Sequence, residues 1–166
     1  MPAFIVAGPF DVPLQPGVRK AKLIDRAAAK SLAGQSDGFL RRGCYVFGIR
    51  AGRGARPIYV GMTKSQNLIT EAFNEKNMNR VNEYINRQKG NPVLYIVYQK
   101  AGKGGPAKNC IPAIEGFLVA GCAKRNPQLI NVHMNKKASW SIAGVVNAGS
   151  GKPSAAAAMF SNLIGC

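Results

Sequence analysis

Residues 43–61 of the chain read GCYVFGIRAGRGARPIYVG and contain two apolar runs joined by a basic, glycine-rich segment. Both runs are rich in β-branched and aromatic residues, which predicts two strands. The linker AGRGA is longer than a tight turn, so the pattern leaves the pairing register open. Each run carries a tyrosine near a glycine: Tyr45 follows Gly43, and Tyr59 precedes Gly61. The two phenols can project from the same face of a sheet if the register allows it.

The whole chain is strongly basic. Its 166 residues include 23 Lys and Arg against 7 Asp and Glu, which gives a net charge of +16. An excess of this size favours a polyanionic partner, and we expect nucleic acid, with DNA favoured over RNA. The same positive charge is also compatible with an acidic protein as the partner. The residues that suit a phosphate-contacting rim are Arg50, Arg53, Arg56, Lys136 and Lys137.

Strand and helix patterns alternate along the rest of the chain, which indicates an α/β or α+β class. The segment PVLYIVYQ is the clearest strand outside the hairpin. Proline-rich residues 1–17 predict an extended arm. Glycines, capping residues and apolar periodicity predict helices over 18–34, from a cap at Thr63 or Ser65, over 77–90, over 111–126 and near the C-terminus.

The length suits one folded domain with additions at its two ends. We expect an N-terminal arm and basic helix at 1–38, a core at 39–140, and a C-terminal apolar segment, linker and short helix at 141–166. The end segments are candidates for dimerisation or for binding an inhibitor. Neither a bilayer-spanning run nor a signal-peptide pattern is found, so we expect a cytoplasmic protein with no membrane partner.

Glu115 is the only acidic residue after Glu83. It lies in a predicted helix, and its neighbours at helical spacing, such as Ile111 and Leu118, are apolar. A carboxylate on a partly buried stripe is costly unless it is paired or coordinated. Two interpretations are open: a glutamate stabilised by the helix dipole or a lysine, or a ligand for a hard cation such as Mg²⁺.

Taken in order, these features resemble the GIY-YIG nuclease domain over roughly residues 40–135. The tripeptide GCY at 43–45 corresponds to the first family motif, and YVG at 59–61 corresponds to the second. Glu115 matches the metal-binding glutamate of the family. The segment NPQLIN, which ends at Asn131, matches the asparagine-containing segment that follows that glutamate.

The resemblance implies a small three-stranded antiparallel sheet flanked by helices, and a metal-dependent endonuclease that hydrolyses phosphodiester bonds. Glu115 is implied to hold one divalent cation, Mg²⁺ or Mn²⁺. Tyr45 is implied to orient or deprotonate the attacking water, and Tyr59 to help position water and phosphate. Deprotonation by Tyr45 requires cationic surroundings, because a free phenol has a pKa near 10. Supporting roles are implied for Gly43, Gly61 and Asn131.

The chain departs from the family at the arginine that normally follows the second tripeptide. That position falls at or near Glu71, and no arginine occurs between Arg56 and Arg80. Three explanations remain open. Lys64, Lys76 or Arg80 substitutes for the arginine; Glu71 is a second metal ligand; or the domain binds nucleic acid without cutting it.

Overall fold

The computed structural model describes residues 2–16, 21–52, 54–100, 108–130, 141–146 and 152–165. In chain order the elements are β1 (Ala3–Asp11), α1 (Arg26–Ala29), β2 (Gly43–Ala51), β3 (Gly54–Met62), α2 (Leu68–Ala72), α3 (Glu75–Asn86), β4 (Asn91–Gln99), α4 (Ile111–Arg125), β5 (Ser141–Ile142) and α5 (Ala155–Ile164). Within these described ranges, no helix is long and apolar enough to span a membrane.

The strands form one sheet in the order β3-β2-β4-β1-β5. Four of them, β3, β2, β4 and β1, are antiparallel to their neighbours, and the short β5 runs parallel to β1. The mixed α and β class is therefore confirmed, but the sheet is larger than the three strands expected. The extra antiparallel strand is β1, which lies in the segment predicted as an arm. β1 joins the sheet because two of its side chains are buried in different hydrophobic cores. Phe10 packs in one core and Phe4 packs in the other.

The β2–β3 register decides where the tyrosines point. Tyr45 pairs with Gly61, and Phe47 pairs with Tyr59. Side chains two residues apart on a strand share a face, so Tyr45 and Tyr59 lie on the same side of the sheet. The register shifts beyond Phe47, and an extra residue on β3, Ile58, has no partner on β2. This bulge lies on the hairpin-loop side of both tyrosines.

Helices cover both faces of the sheet, which explains why β2 is buried at seven consecutive positions. On one face, Tyr45 and Phe47 pack in a core with apolar residues of α1, α2 and α3. On the other face, Cys44 and Val46 pack in a second core with α4 and α5. We call these the α3 face and the α4 face of the sheet.

The helix predicted over 18–34 is shorter than expected. Ile24 forms an isolated antiparallel bridge with Leu14, so the chain is still extended there. Asp25 then caps α1 by accepting a hydrogen bond from the Ala28 amide at 3.0 Å. After one turn the chain tightens into a 3₁₀ helix at Lys30–Gly34. Residues 17–20 lie outside the described part of the chain.

Asparagines begin α2 and α3. Asn67 accepts a hydrogen bond from the Thr70 amide at 3.0 Å, so the predicted cap at Thr63 or Ser65 is wrong. Thr63 is buried and accepts a hydrogen bond from the Gly43 amide at 3.0 Å, so its hydroxyl joins the ends of β2 and β3 instead.

Asn74 caps α3 by accepting a hydrogen bond from the Asn77 amide at 2.9 Å. This helix therefore begins two residues before the predicted start. The predicted helices at α4 and α5 are confirmed.

Candidate functional site

Two buried phenols form the centre of the candidate site. Tyr45 is 1% exposed and Tyr59 is 6% exposed, and their ring centroids lie 6.1 Å apart. Both side chains project from the α3 face of the sheet. The register therefore places the two phenols on a common face, which the sequence pattern had allowed. They are diagonal neighbours across two strands and not a directly opposed pair, because Tyr45 pairs with Gly61.

The two glycines of the tripeptides make room for other groups. A Cβ atom at Gly61 would collide with the phenol ring and hydroxyl of Tyr45, which lie above that residue. A Cβ atom at Gly43 would collide with the carbonyl oxygen of Val97 on β4. The glycine at position 61 is therefore required to admit the first tyrosine, and the glycine at position 43 allows β2 and β4 to pair closely.

Asn77 joins the two phenols and was missed by the sequence analysis. The Tyr59 hydroxyl donates to Asn77 Oδ1 at 3.0 Å, and Asn77 Nδ2 donates to the Tyr45 hydroxyl at 2.7 Å. Nδ2 also donates to the Glu71 carbonyl oxygen at 2.7 Å. The sequence does hold one signal, since Asn77 shares the helical stripe of Val81 and Ile85 at a spacing of four residues. A carboxamide on an apolar stripe must find buried partners.

The surroundings of Tyr45 keep its hydroxyl protonated. Burial raises the pKa of Tyr45 far above its ordinary value, and the neighbouring Tyr59 raises it further. The negative charges of Glu71 and Glu115 and a hydrogen bond with Tyr59 act in the same direction on this pKa. The lowering of the pKa that a role as general base would require is not found here. Tyr45 is a neutral phenol in this arrangement and is suited to orienting a partner, not to removing a proton from one.

Glu115 lies in the helical layer that covers the opposite face of the sheet from the two phenols. It lies on α4, which packs on the α4 face, and its side chain is half-buried. Burial raises the pKa of Glu115, while the positive charge of Lys64 lowers it by a smaller amount. Among the described residues, none donates a hydrogen bond to this carboxylate or lies within ion-pair distance of it. Glu115 is thus a partly desolvated acid without a close partner in the described structure.

The negative charge of Glu115 also affects the pKa values of two residues near the start of β2, Cys44 and Tyr45. It raises the pKa of Tyr45 slightly, and it adds to the burial that raises the pKa of the Cys44 thiol well above its usual range. The Cys44 thiol of β2 donates to the Ile111 carbonyl oxygen of α4 at 3.4 Å, so it is a buried structural group and not a nucleophile. Lys64 follows the end of β3. The acid, the lysine and the phenols therefore occupy the same end of the hairpin.

Glu71 lies at or near the position where the resemblance noted in the sequence would place an arginine. It is half-buried in α2, and its carboxylate accepts a hydrogen bond from Asn74 Nδ2 at 3.3 Å. Its backbone oxygen is held by Asn77, and its charge affects the pKa of Tyr45. The pKa of Tyr45 is thus raised by two carboxylates, Glu71 and Glu115, in addition to burial. Among the described residues, Lys64 is the cation whose charge acts on one of these acids, Glu115.

The other predicted residues are distributed over the surface. Lys64, Lys76 and Arg80 are exposed, and Arg80 lines a cavity along α3. Arg50 and Arg56 lie at the loop end of the hairpin, about 17 Å from Tyr45 at ~3.4 Å per residue. Arg50 forms an ion pair with Asp11, and Arg56 Nη2 donates to Gln88 Oε1 at 2.6 Å. Four predicted positions lie outside the described residues: Arg53, Asn131, Lys136 and Lys137.

The donor set suits a weakly held hard cation. No group of three or more His, Cys, Asp and Glu side chains able to hold a metal is found in the part of the chain that the structure describes. Mg²⁺ differs from Zn²⁺ in needing only one or two protein carboxylates, with water and phosphate completing its shell. A half-buried glutamate with a raised pKa and no described partner fits that requirement. Glu115 is the residue that would hold the ion, with Glu71 as a second acid near the same phenols.

Comparisons of the chain with protein-family models, with curated proteins and with solved structures found no match.

Proposed function

We propose that this chain is a nucleic-acid-binding endonuclease of the GIY-YIG type that hydrolyses phosphodiester bonds, most readily in DNA, with Mg²⁺ or Mn²⁺. The observation that supports the proposal is the grouping at one end of the hairpin. Two phenols share a face, one amide holds both, and a half-buried glutamate acts on the first phenol from the neighbouring layer. The net charge of +16 supports a polyanionic substrate.

Each side chain then has a defined task. When bound, a divalent cation would supply polarisation of a phosphate and would offset the charge of the leaving oxygen. Glu115 supplies the carboxylate for that ion. Tyr45 and Tyr59 are held in place by Asn77, so their hydroxyls orient water and phosphate with little loss of side-chain entropy. Lys64 is the candidate for the missing arginine, because it is exposed and its charge already acts on Glu115.

One alternative is favoured by specific observations. Tyr45 has a raised pKa, and a carboxylate stands where the family has an arginine. Loss of such a cationic donor costs about two to three orders of magnitude in rate. Both features favour a module that binds nucleic acid on the same scaffold and does not cut it.

Nicking of supercoiled plasmid separates the two proposals. The wild type is incubated with Mg²⁺ and, in parallel, with EDTA, beside Glu115→Gln and Glu75→Gln. Glu75 is an exposed glutamate in the first turn of α3, so its variant matches the chemistry of the change outside the site. We expect nicking by the wild type and Glu75→Gln that EDTA abolishes, and none by Glu115→Gln. Binding without any nicking would establish the module, and equal nicking by Glu115→Gln would reject the assigned ligand.

A further inference from the structure

A basic groove runs between α3 and the segment that follows α4. Arg80, Tyr84 and Arg87 line it from the helix, where their spacing of four and three residues places them on one face. Gln128 and Ile130 line it from the opposite wall, and the open groove has a volume of about 440 Å³. A cavity of this size lies within the range of small-ligand sites.

The opposite wall is anchored to the edge of the sheet. Asn126 is buried, and its Nδ2 donates to the Pro57 carbonyl oxygen at 2.7 Å and to the Tyr84 hydroxyl at 2.9 Å. The Ile130 amide donates to the Ile58 carbonyl oxygen at 3.0 Å. These contacts hold the ring of Tyr84 and both walls in place, so the groove is part of the folded structure and not a gap between loose segments.

The charge of the groove is positive. Arg80 forms no ion pair among the described residues, whereas Arg87 pairs with Glu83 on the exposed helix surface at 2.7 Å. An exposed pair of this kind is weak and can be exchanged for a phosphate. Arg56 extends the basic wall through its hydrogen bond to Gln88. Glu83 is the only acid among the residues that line this cavity.

The chemistry of the lining matches an unpaired nucleotide. Proteins bind single-stranded nucleic acid with aromatic rings, on which bases stack, beside cations that contact the phosphates. Tyr84 is half-buried in the cavity wall and is flanked by two guanidinium groups, one helical turn away on either side. A base-paired duplex presents its bases edge-on in grooves and offers no face to such a ring.

The groove is connected to the phenols by a single helix. Asn77, which binds both phenols, lies in the first turn of α3, and Arg87 follows its last residue. Ten residues of helix span about 15 Å at ~1.5 Å per residue. A strand lying along α3 would therefore reach the end of the hairpin that carries Tyr45 and Tyr59.

We propose that this groove binds an unpaired stretch of nucleic acid, with a base stacked on Tyr84 and phosphates on Arg80 and Arg87. The inference rests on the proposed function for its class of partner and goes beyond it by naming the substrate as single-stranded or locally unpaired. Arg80 then has a binding role in place of the catalytic one suggested by its position in the sequence.

Fluorescence anisotropy in EDTA tests the groove apart from any cleavage. The probes are a labelled poly(dT) oligonucleotide and its duplex with poly(dA), each titrated over a range of salt concentrations. The test variant is Arg80→Gln with Arg87→Gln. The control is Lys30→Gln with Lys152→Gln, which removes the same charge from two exposed lysines outside the groove.

We expect the wild type to bind poly(dT) more tightly than the duplex. The slope of log K against log salt should fall by about 1.4 in the arginine variant, since each phosphate contact on a single strand contributes ~0.7. The lysine control should keep the wild-type slope. Equal losses in the two double variants, or preference for the duplex, would overturn the inference.

Tyr84 allows a separate test of stacking. Tyr84→Phe and Tyr84→Leu both lose the hydroxyl that accepts from Asn126, so a role confined to that hydrogen bond would weaken binding equally in both. Stacking on the ring predicts that Tyr84→Phe binds poly(dT) like the wild type, whereas Tyr84→Leu binds about tenfold more weakly. Equal behaviour of the two variants would reject the stacking.

The two proposals fail in different ways. Groove-dependent binding by a protein that never cuts would reject the nuclease and leave the groove standing. Mg²⁺-dependent cutting that is indifferent to Arg80, Tyr84 and Arg87 would reject the groove and leave the nuclease standing.

Discussion

Tyr45 lies over Gly61, its partner across β2 and β3, and the phenol occupies the space that a side chain at position 61 would need. The ring cannot move aside freely, because it is 1% exposed and Asn77 holds its hydroxyl. This single steric relationship links the two tripeptides. The glycine of the second motif is present so that the tyrosine of the first can be buried.

We therefore expect Gly61→Ala to destabilise the protein by about 1–3 kcal/mol, as overpacking of a core does. Urea unfolding followed by circular dichroism measures the change. Gly54→Ala is the matched control on the same strand, because a Cβ atom there meets nothing within 4 Å. Its free energy of unfolding should stay within about 0.5 kcal/mol of the wild type. Similar effects of the two substitutions would show that Tyr45 does not require the glycine.

Asn77→Ala should remove the amide that serves two buried hydroxyls and one partly buried carbonyl. The hydroxyls of Tyr45 and Tyr59 and the carbonyl of Glu71 lose a partner together. Each unsatisfied buried group costs about 1–3 kcal/mol, so the free energy of unfolding should fall by at least that amount. Asn79→Ala, an exposed asparagine of the same helix, should have little effect. A change in the near-ultraviolet signal of the tyrosines would locate the loss in the phenol pair.

Glu115 should make stability depend on pH. Its folded-state pKa is raised above the ordinary value of 4.5, so the folded protein binds more protons than the unfolded chain in the interval between the two values. Stability then falls as pH rises through that interval. We expect Glu115→Gln to gain stability relative to the wild type when urea unfolding is repeated from pH 4 upward. A difference that stays constant with pH would mean that Glu115 has an ordinary pKa.

Mg²⁺ should stabilise the protein through Glu115. A cation that binds only the folded state at ten times its dissociation constant stabilises that state by about 1.4 kcal/mol. Differential scanning fluorimetry should therefore show a rise in Tm with Mg²⁺ in the wild type and in Glu75→Gln, reversed by EDTA. Glu115→Gln should show no rise. An equal rise in that variant would place the ion elsewhere.

Local patterns predicted most of the elements. The β-branched runs around Tyr45 and Tyr59 predicted β2 and β3, and proline and apolar spacing predicted α4. The N-terminal strand was harder to predict, because its partner β4 lies some ninety residues away and no local signal reports a distant partner. The helix predicted over 18–34 was overestimated, since Ile24 within it pairs with Leu14 and this tertiary contact overrides helix propensity.

The candidate site, like the fold, could be predicted from the sequence only in part. Tyr45, Tyr59 and Glu115 were selected from the order of the motifs around them, but the sequence left open whether the two phenols share a face, because that depends on the β2–β3 register. Asn77 was not selected, because a polar residue in a helix looks like a surface residue until its buried partners are known. For Tyr45 the sequence provided only a condition, that cationic surroundings must lower its pKa if it is to act as a base. Burial, Tyr59 and two nearby carboxylates raise the pKa in the structure, so that condition is not met.

The sequence by itself determined the hairpin, the basic surface and the chemistry available at Tyr45, Tyr59 and Glu115, because strand periodicity, charge and residue type are local properties. Only the tertiary structure decided the register that places Tyr45 over Gly61, the helix that brings Asn77 between the phenols, and the groove beside Tyr84. These depend on which distant surfaces pack together, and packing sets both the burial and the hydrogen-bond partners that control a polar group.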